Sequence, residues 1–408
     1  MRLGKIANSD VRLGRVSAGT ILGAAALSSI VLSAINSFSE ENELPRLPFS
    51  DVLGAARLSE LRYEYAARGG AVSPRMVERG KDALYTSPLS LDPFFFAAMR
   101  QFPTQESMGS AVAEPYLREM LTRNPRSRAA HLLLFRRAVA AQQIDAALFH
   151  LDRLKELEPD MVGELMRAVG KQIQSTDAAD AVAAALSRHV ELIDGISEGV
   201  ASGQASPEVA ARFASKLPRE ALIKGSAGTV LIDRLVRDGF ISQARALWIT
   251  ANRVPPREAD ELVYDSQFSK EASRAPFGWT YGINDSGVSE WTGPRAVYVE
   301  YYGRQSGALL TQTLALPSGR YRVIAEVSPE MGEIASMALQ VSCIGGAPVL
   351  ARTPMNAEPP RGALQIEFQV PKSCPGQVLA IVGLPRESRA GGAITVHRIS
   401  IDSSAAGK

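Results

Sequence analysis

The chain has 408 residues, too many for one ordinary domain, so two or three are expected. Hydrophobic residues make up 46% of it, which excludes wholesale disorder. The formal net charge is only +2, so no basic excess points to a nucleic-acid partner.

The first informative segment is the run from Val16 to Ile35, which carries no charge. Its length of about 20 residues matches a helix crossing a bilayer core. Arg2, Lys5, Arg12 and Arg15 precede it, and Glu40, Glu41 and Glu43 follow it. The positive-inside rule therefore puts the N-terminus in the cytoplasm. A cleaved signal peptide is the rival reading, but the apolar run is long and Asn36, Ser37 and Phe38 make a poor cleavage site. Residues 1–15 are thus expected to be a cytoplasmic tail, and 16–37 a single transmembrane helix in the inner (plasma) membrane. The bulk of the chain is placed in the periplasm. Gly19 and Gly23 form a GxxxG pair, read as chance in a segment rich in small residues.

Residues 38–48 are polar and proline-bearing and read as a linker. From 49 to 265 apolar residues recur at three- and four-residue spacing, with Gly and Pro at the joints, which predicts helix after helix. Asn124-Pro125 and Glu158-Pro159 end two of these helices 34 residues apart. At the same offset Ala113 aligns with Ala147, Leu117 with Leu151, and Met120 with Leu154. This pattern resembles the tetratricopeptide repeat, a helix–turn–helix unit of 34 residues. The resemblance covers about residues 60–161. It implies small residues at the helix crossings (Ala113, Ala147), prolines closing the second helices (Pro125, Pro159), and a solenoid with a groove for a protein partner. The chain departs from the family where His131 and Phe135 stand in place of its Trp and Gly. An irregular bundle without a groove is the alternative. Further helices are expected over Ala178–Leu192, Val209–Leu217, Ala221–Asp238 and Ser242–Thr250.

Helical pattern stops near Pro255-Pro256, and residues 275–403 are expected to form a β-sandwich or jelly roll. Strands are predicted at Phe277–Tyr281, Ala296–Tyr302, Leu309–Leu316, Tyr321–Val327, Met337–Cys343, Leu364–Val370, Gln377–Val382 and Ala393–Ile401. The stretch Leu310–Val323 (strand, Pro-x-Gly turn, alternating strand) resembles the jelly roll of carbohydrate-binding modules. That resemblance implies sugar binding through aromatics on a sheet face or loop rim. The two cysteines, Cys343 and Cys374, both lie here. An even count in an exported domain suggests a disulfide, with two buried thiols as the alternative.

Catalytic patterns are sparse. Gly195-Ile196-Ser197-Glu198-Gly199 matches a nucleophile elbow, but both flanks read as helix where a strand should precede the serine. The four histidines, His131, His150, His189 and His397, lack a partner at metal-ligand spacing. Asp285, Glu290, Glu300, Glu330 and Glu333 are most simply solvated charges. Aromatics are the better candidates. Trp279, Tyr281, Trp291, Tyr298, Tyr301 and Tyr302 crowd into one stretch, and sugar rings pack their C–H faces on such planes. Alternation puts Tyr298 and Tyr302 on one face, and Tyr301 on the other with Val297 and Val299. Trp279, Tyr281, Trp291 and Tyr301 are taken as candidate ligand-binding residues. Trp279 and Trp291 lead, because they flank an expected loop, Gly282–Ser289.

The sequence therefore leads us to expect a membrane-anchored scaffold that is not an enzyme and needs no cofactor or metal. Its helical repeats would bind a protein partner, and its β domain a glycan, in the assembly or export of surface polysaccharide. A glycan hydrolase or lyase, or a purely structural envelope protein, are the alternatives.

Overall fold

A computed structural model describes residues 52–85, 87–102, 111–271, 274–355, 363–385, 387 and 390–403. Among them no helix is long and apolar enough to cross a membrane. The expected tail, membrane helix and linker, residues 1–48, lie outside the described residues.

The architecture is helical first and β-sandwich second. Helices run over Val52–Ala67, Pro74–Ala83, Asp92–Arg100, Glu114–Arg123, Arg128–Ala140, Ile144–Leu157, Pro159–Lys171, Thr176–Leu186 and Ile193–Ser202. They continue over Pro207–Lys216, Arg219–Lys224, Ala227–Arg237, Ile241–Ala251 and Pro256–Ala259. Contacts divide the chain into two units, one reaching to Ile173 and including 181–203, the other containing 174–180 and everything from Gln204 onward.

Local chemistry sets the helix ends. Ser73 and Ser127 each accept a backbone N–H of the first turn, and Pro74 and Pro159 stand at the start of their helices, where no N–H is needed. Asn124 is extended and Glu158 also leaves the helical region, as the prolines that follow them favour. Pro159 thus both closes one helix and opens the next. Ala113 and Ala147 are buried, as are Leu117 with Leu151 and Met120 with Leu154. The single helix expected over Ala221–Asp238 is two, Arg219–Lys224 and Ala227–Arg237. A Cβ at Gly228 would lie 2.6 Å from the Leu222 carbonyl oxygen, so glycine permits the tight turn between them.

The C-terminal domain packs two antiparallel sheets. The strands are β1 (Thr280–Tyr281), β2 (Ile283–Asn284), β3 (Gly287–Gly293), β4 (Ala296–Tyr301), β5 (Gly307–Leu314), β6 (Gly319–Gly332), β7 (Met337–Cys343), β8 (Val349–Pro354), β9 (Leu364–Val370), β10 (Gln377–Gly383) and β11 (Gly392–Ser403). One sheet has the order β1-β5-β10-β7-β8, the other β2-β3-β4-β11-β6-β9. Their facing residues form one core, in which Val297, Val299, Val323, Leu339, Val341, Leu379, Ile394 and Val396 are fully buried. Cys343 and Cys374 form a disulfide with Cα atoms 5.6 Å apart. It ties the end of β7 to the turn that leads into β10.

Three strands were not expected: β2, β3 and β8. The expected loop Gly282–Ser289 is instead a hairpin, with Ile283 opposite Val288 and Asn284 opposite Gly287. Its inward positions are small because the backbones are close. A Cβ at Gly287 would sit 2.0 Å from the Glu300 carbonyl oxygen, and Ser289 Oγ donates to Leu309 O at 2.6 Å. Small residues at these positions erase the apolar alternation that marks a strand. The edge strand β8 has no buried face, so it carries no alternation either.

Candidate functional site

The two sheets differ in how their outer faces are treated. Along β7 and β10 residues of both faces are mostly buried, and Ala338, Ala380 and Val382 form a small apolar cluster separate from the main core. Along β4 and β9 buried residues alternate with exposed or half-exposed ones. The six-stranded sheet therefore presents an open face.

Tyr298 stands on this face, with Glu290 of β3 on one side and Thr395 of β11 on the other, and Ser328 of β6 beyond. Neighbouring strands are about 4.8 Å apart, so these residues form a short row across the sheet. Two irregularities in the β6–β11 ladder add to the row. Ala393 pairs with Met331 but Ile394 with Pro329, which leaves Glu330 as an extra residue. Val396 pairs with Val327 but Arg398 with Glu326, which leaves His397 as another. β-Bulges of this kind re-aim side chains. Glu330 accepts from Thr395 Oγ1 at 2.7 Å, and His397 Nε2 is 2.8 Å from Ser328 Oγ.

The Tyr298 hydroxyl donates to Glu300 Oε2 at 3.2 Å. Burial, followed by the charges of Glu300, Glu330 and Glu290, pushes its pKa up, so it stays a donor. The carboxylates, hydroxyls and imidazole around the ring supply acceptors and donors on one face of the sheet. That chemistry suits a neutral, polyhydroxylated surface.

The four residues singled out from sequence do not form a platform. Trp279 is 1% exposed, packs its ring 5.0 Å from that of Phe268, and donates Nε1–H to Asp265 O. With its one polar atom satisfied, it belongs in the core. Tyr301 is also 1% exposed, and its ring lies against Gly383 of β10, where a Cβ would come within 2.1 Å. Trp291 is not on a loop. It sits within β3 opposite Val297, packs partly against the core, and donates Nε1–H to Phe268 O at 2.9 Å. Tyr281 packs beside the same core, its hydroxyl sealed without a partner and its pKa pushed up to about 12 by burial and then by Asp265. The expected division of the aromatics by face holds, with Tyr301 inside alongside Val297 and Val299, and Tyr298 outside. That alternation was the signal for Tyr298. The bulges that deliver Glu330 and His397 leave no sequence mark.

In the helical part the Gly195–Gly199 motif lies within the helix Ile193–Ser202, with Ser197 fully buried. Its glycines serve packing. Cβ atoms at Gly170 and Gly199 would come within 2.1 Å of Ile196 O and 2.2 Å of Arg167 O, so two helices cross there in backbone contact. His131 and His150 bond to each other, Nδ1 to Nδ1, at 3.0 Å, and His131 Nε2 donates to Pro125 O. No group of three metal-ligating side chains occurs among the described residues.

No family model matches the chain, and no curated protein does. Among solved structures it is similar to one described as "CBM4 structure and function", with 10% identity over 35% of this chain and 99% of that one, at a TM-score of 0.26. It is also similar to the structure of TmCBM61 in complex with beta-1,4-galactotriose, with 15% identity over the same shares and a TM-score of 0.25. At such scores neither likeness bears on function.

Proposed function

We propose that the β-sandwich binds a glycan on the open face of its six-stranded sheet. The observation that carries this reading is the placement of Tyr298. Its half-exposed ring lies on the open face among Glu290, Glu300, Glu330 and Thr395. A sugar ring would stack its C–H face on the phenol, and its hydroxyls would bond to the surrounding carboxylates and hydroxyls. A glycan hydrolase is the rival reading, and it would need two carboxylates facing each other across the scissile bond. We read the protein as a binding component.

We further propose that the protein is a membrane-anchored envelope scaffold, held by residues 16–37, with a tetratricopeptide-like helical part that engages a protein partner. The disulfide between Cys343 and Cys374 supports an oxidising compartment for the C-terminal domain. Assembly or export of surface polysaccharide is the process that joins these features.

Isothermal titration of the protein with a panel of soluble polysaccharides tests the site. Tyr298→Ala should weaken binding of the recognised glycan by about five-fold or more, about 1 kcal/mol, and leave the melting temperature unchanged. Undiminished affinity in this variant, or no binding by the wild type to any glycan, overturns the reading.

A further inference from the structure

Two histidines that the glycan reading does not use form a hydrogen-bonded chain in the helical part. His131, in the first turn of the helix Arg128–Ala140, is 4% exposed. Its Nδ1 lies 3.0 Å from Nδ1 of His150 on the next helix, Ile144–Leu157, and its Nε2 lies 3.0 Å from the Pro125 carbonyl oxygen. A carbonyl oxygen only accepts, so His131 Nε2 carries a proton and donates it. A neutral imidazole has a single N–H, so His131 Nδ1 is bare and accepts. The proton between the two rings therefore belongs to His150 Nδ1. Two bonds in series join the turn at Pro125 to both helices, and they fix each ring in one tautomer.

That arrangement suits neutral rings. One added proton places a cation in a largely buried site, and a second sets two N–H groups against each other with no acceptor between them. Burial is the first cause that holds the His131 pKa below its ordinary range, and Arg153 adds to it, against the Pro125 bond and Glu156. Burial, then His131, then Arg118 lower the pKa of His150 to about 4, against Glu114. The facing carboxylates are already engaged. Glu114 is shared by Arg118 at 2.6 Å and Arg137 at 2.7 Å, and Glu156 pairs with Arg153 at 3.1 Å. On the remaining side the Phe149 ring packs edge-on against His150, with centroids 5.1 Å apart.

We propose that the His131–His150 pair is an acid-sensitive latch, which closes the helices Arg128–Ala140 and Ile144–Leu157 on each other while neutral and lets them open when it takes up protons. An exposed histidine binds its proton as pH falls below about 6.5, and His150 in the closed form only near about 4. Between those values the open form holds a proton that the closed form lacks. The advantage of the closed form therefore falls as pH drops from about 6.5, and levels off below about 4. Above about 6.5 both forms are neutral and the latch keeps its full strength. The latch lies in the helical part and does not depend on the glycan reading.

The test is hydrogen–deuterium exchange of the full chain, read by peptide mass spectrometry and corrected for the intrinsic pH dependence of exchange. It is run at about pH 7.5 and about pH 5, either side of the ordinary histidine pKa. Glu114, whose pKa is held below its ordinary 4.5 by Arg118, stays ionised at both. Protection in peptides spanning 128–157 should fall by about 30-fold at the lower pH, the ratio that linkage gives for a group titrating at 6.5 when open and about 4 when closed. Strands β7 and β10 of the sandwich should keep their protection. His150→Asn leaves an amide N–H to donate to His131 and does not titrate, so it should match the wild type at the higher pH and lose most of the fall at the lower. His131→Gln, which keeps a donor for the Pro125 carbonyl, takes its place where His150→Asn does not fold. Unchanged wild-type protection at the lower pH overturns the proposal. So does a fall as large in the variant, or one as large in β7 and β10. If neither variant folds, the pair is a packing requirement and the latch is overturned as well.

Discussion

The two sheets of the β-sandwich share one core and differ in their backs. Strands β7 and β10 read MALQVSC and QVLAIVG, near-continuous apolar runs, and are buried on both faces. Strands β4 and β9 read AVYVEY and LQIEFQV, and bury alternate residues only. A continuous run marks a strand covered on both sides, and alternation one that faces solvent on one side. The difference identifies the face that stays open, and it separates the aromatics. Trp279 and Tyr301 fill the core between the sheets, while Tyr298 stands on the open back.

Matched charge insertions should show the largest contrast. Ala380 points out from the back of the five-stranded sheet and is buried, whereas Gln365 points out from the six-stranded sheet and is exposed. Ala380→Asp should destabilise by about 3–5 kcal/mol, the cost of an uncompensated buried charge. Gln365→Asp should stay within about 0.5 kcal/mol. Urea unfolding of the two variants measures both, and equal effects would dissolve the distinction between the backs.

Next in size is the disulfide, which belongs to the closed sheet alone. It joins residues 31 apart, from the end of β7 to the approach to β10. Replacing both cysteines by serine should cost about 3–4 kcal/mol, from loop closure in the unfolded chain. Followed by urea unfolding, a loss below about 1 kcal/mol would mean that the unfolded chain is already constrained in this region.

Much of this architecture was legible beforehand. Met337–Cys343 and Leu364–Val370 fall at their expected bounds, because side-chain alternation or a continuous apolar run meets clear turn residues at each end. The disulfide was legible from the cysteine count, read together with the expected export. The hairpin at Gly282–Ser289 was hidden by Gly287 and Ser289, kept small by the close approach of β4 and β5. The aromatic cluster was visible, but its division was harder to read. Tyr301 followed from alternation. Trp279 stands before a two-residue strand and is buried by Phe268 and Asp265, which no periodicity connects to it. The candidate face depends on bulges at Glu330 and His397, and a bulge is a property of pairing between strands, invisible in either strand's own sequence.

The smallest effects should carry opposite signs. Tyr281 lies on β1 of the closed sheet, and its hydroxyl is sealed with no partner. Tyr298 lies on the open face, and its hydroxyl donates to Glu300. Removing a buried hydroxyl that bonds to nothing relieves a desolvation penalty, whereas removing one that bonds at the surface forfeits a modest hydrogen bond. Tyr281→Phe should therefore stabilise by about 1 kcal/mol, and Tyr298→Phe should destabilise by about 0.5 kcal/mol or less. Alkaline pH gives a second readout. The Tyr281 pKa is raised from 10 in the unfolded chain to about 12 in the fold, so the folded state holds its proton more tightly. Between those values the unfolded state has lost the proton and the folded state has not, so this contribution to stability falls as pH rises from about 10 and levels off above about 12. In Tyr281→Phe that part of the alkaline decline should vanish, and the gain over wild type should widen with pH. Urea midpoints at pH 8, 10 and 11 (values chosen to bracket about 10, the ordinary tyrosine pKa) would show it. A gain that is constant across them would mean that the Tyr281 hydroxyl reaches water, and that β1 is less closed than its neighbours in the sheet.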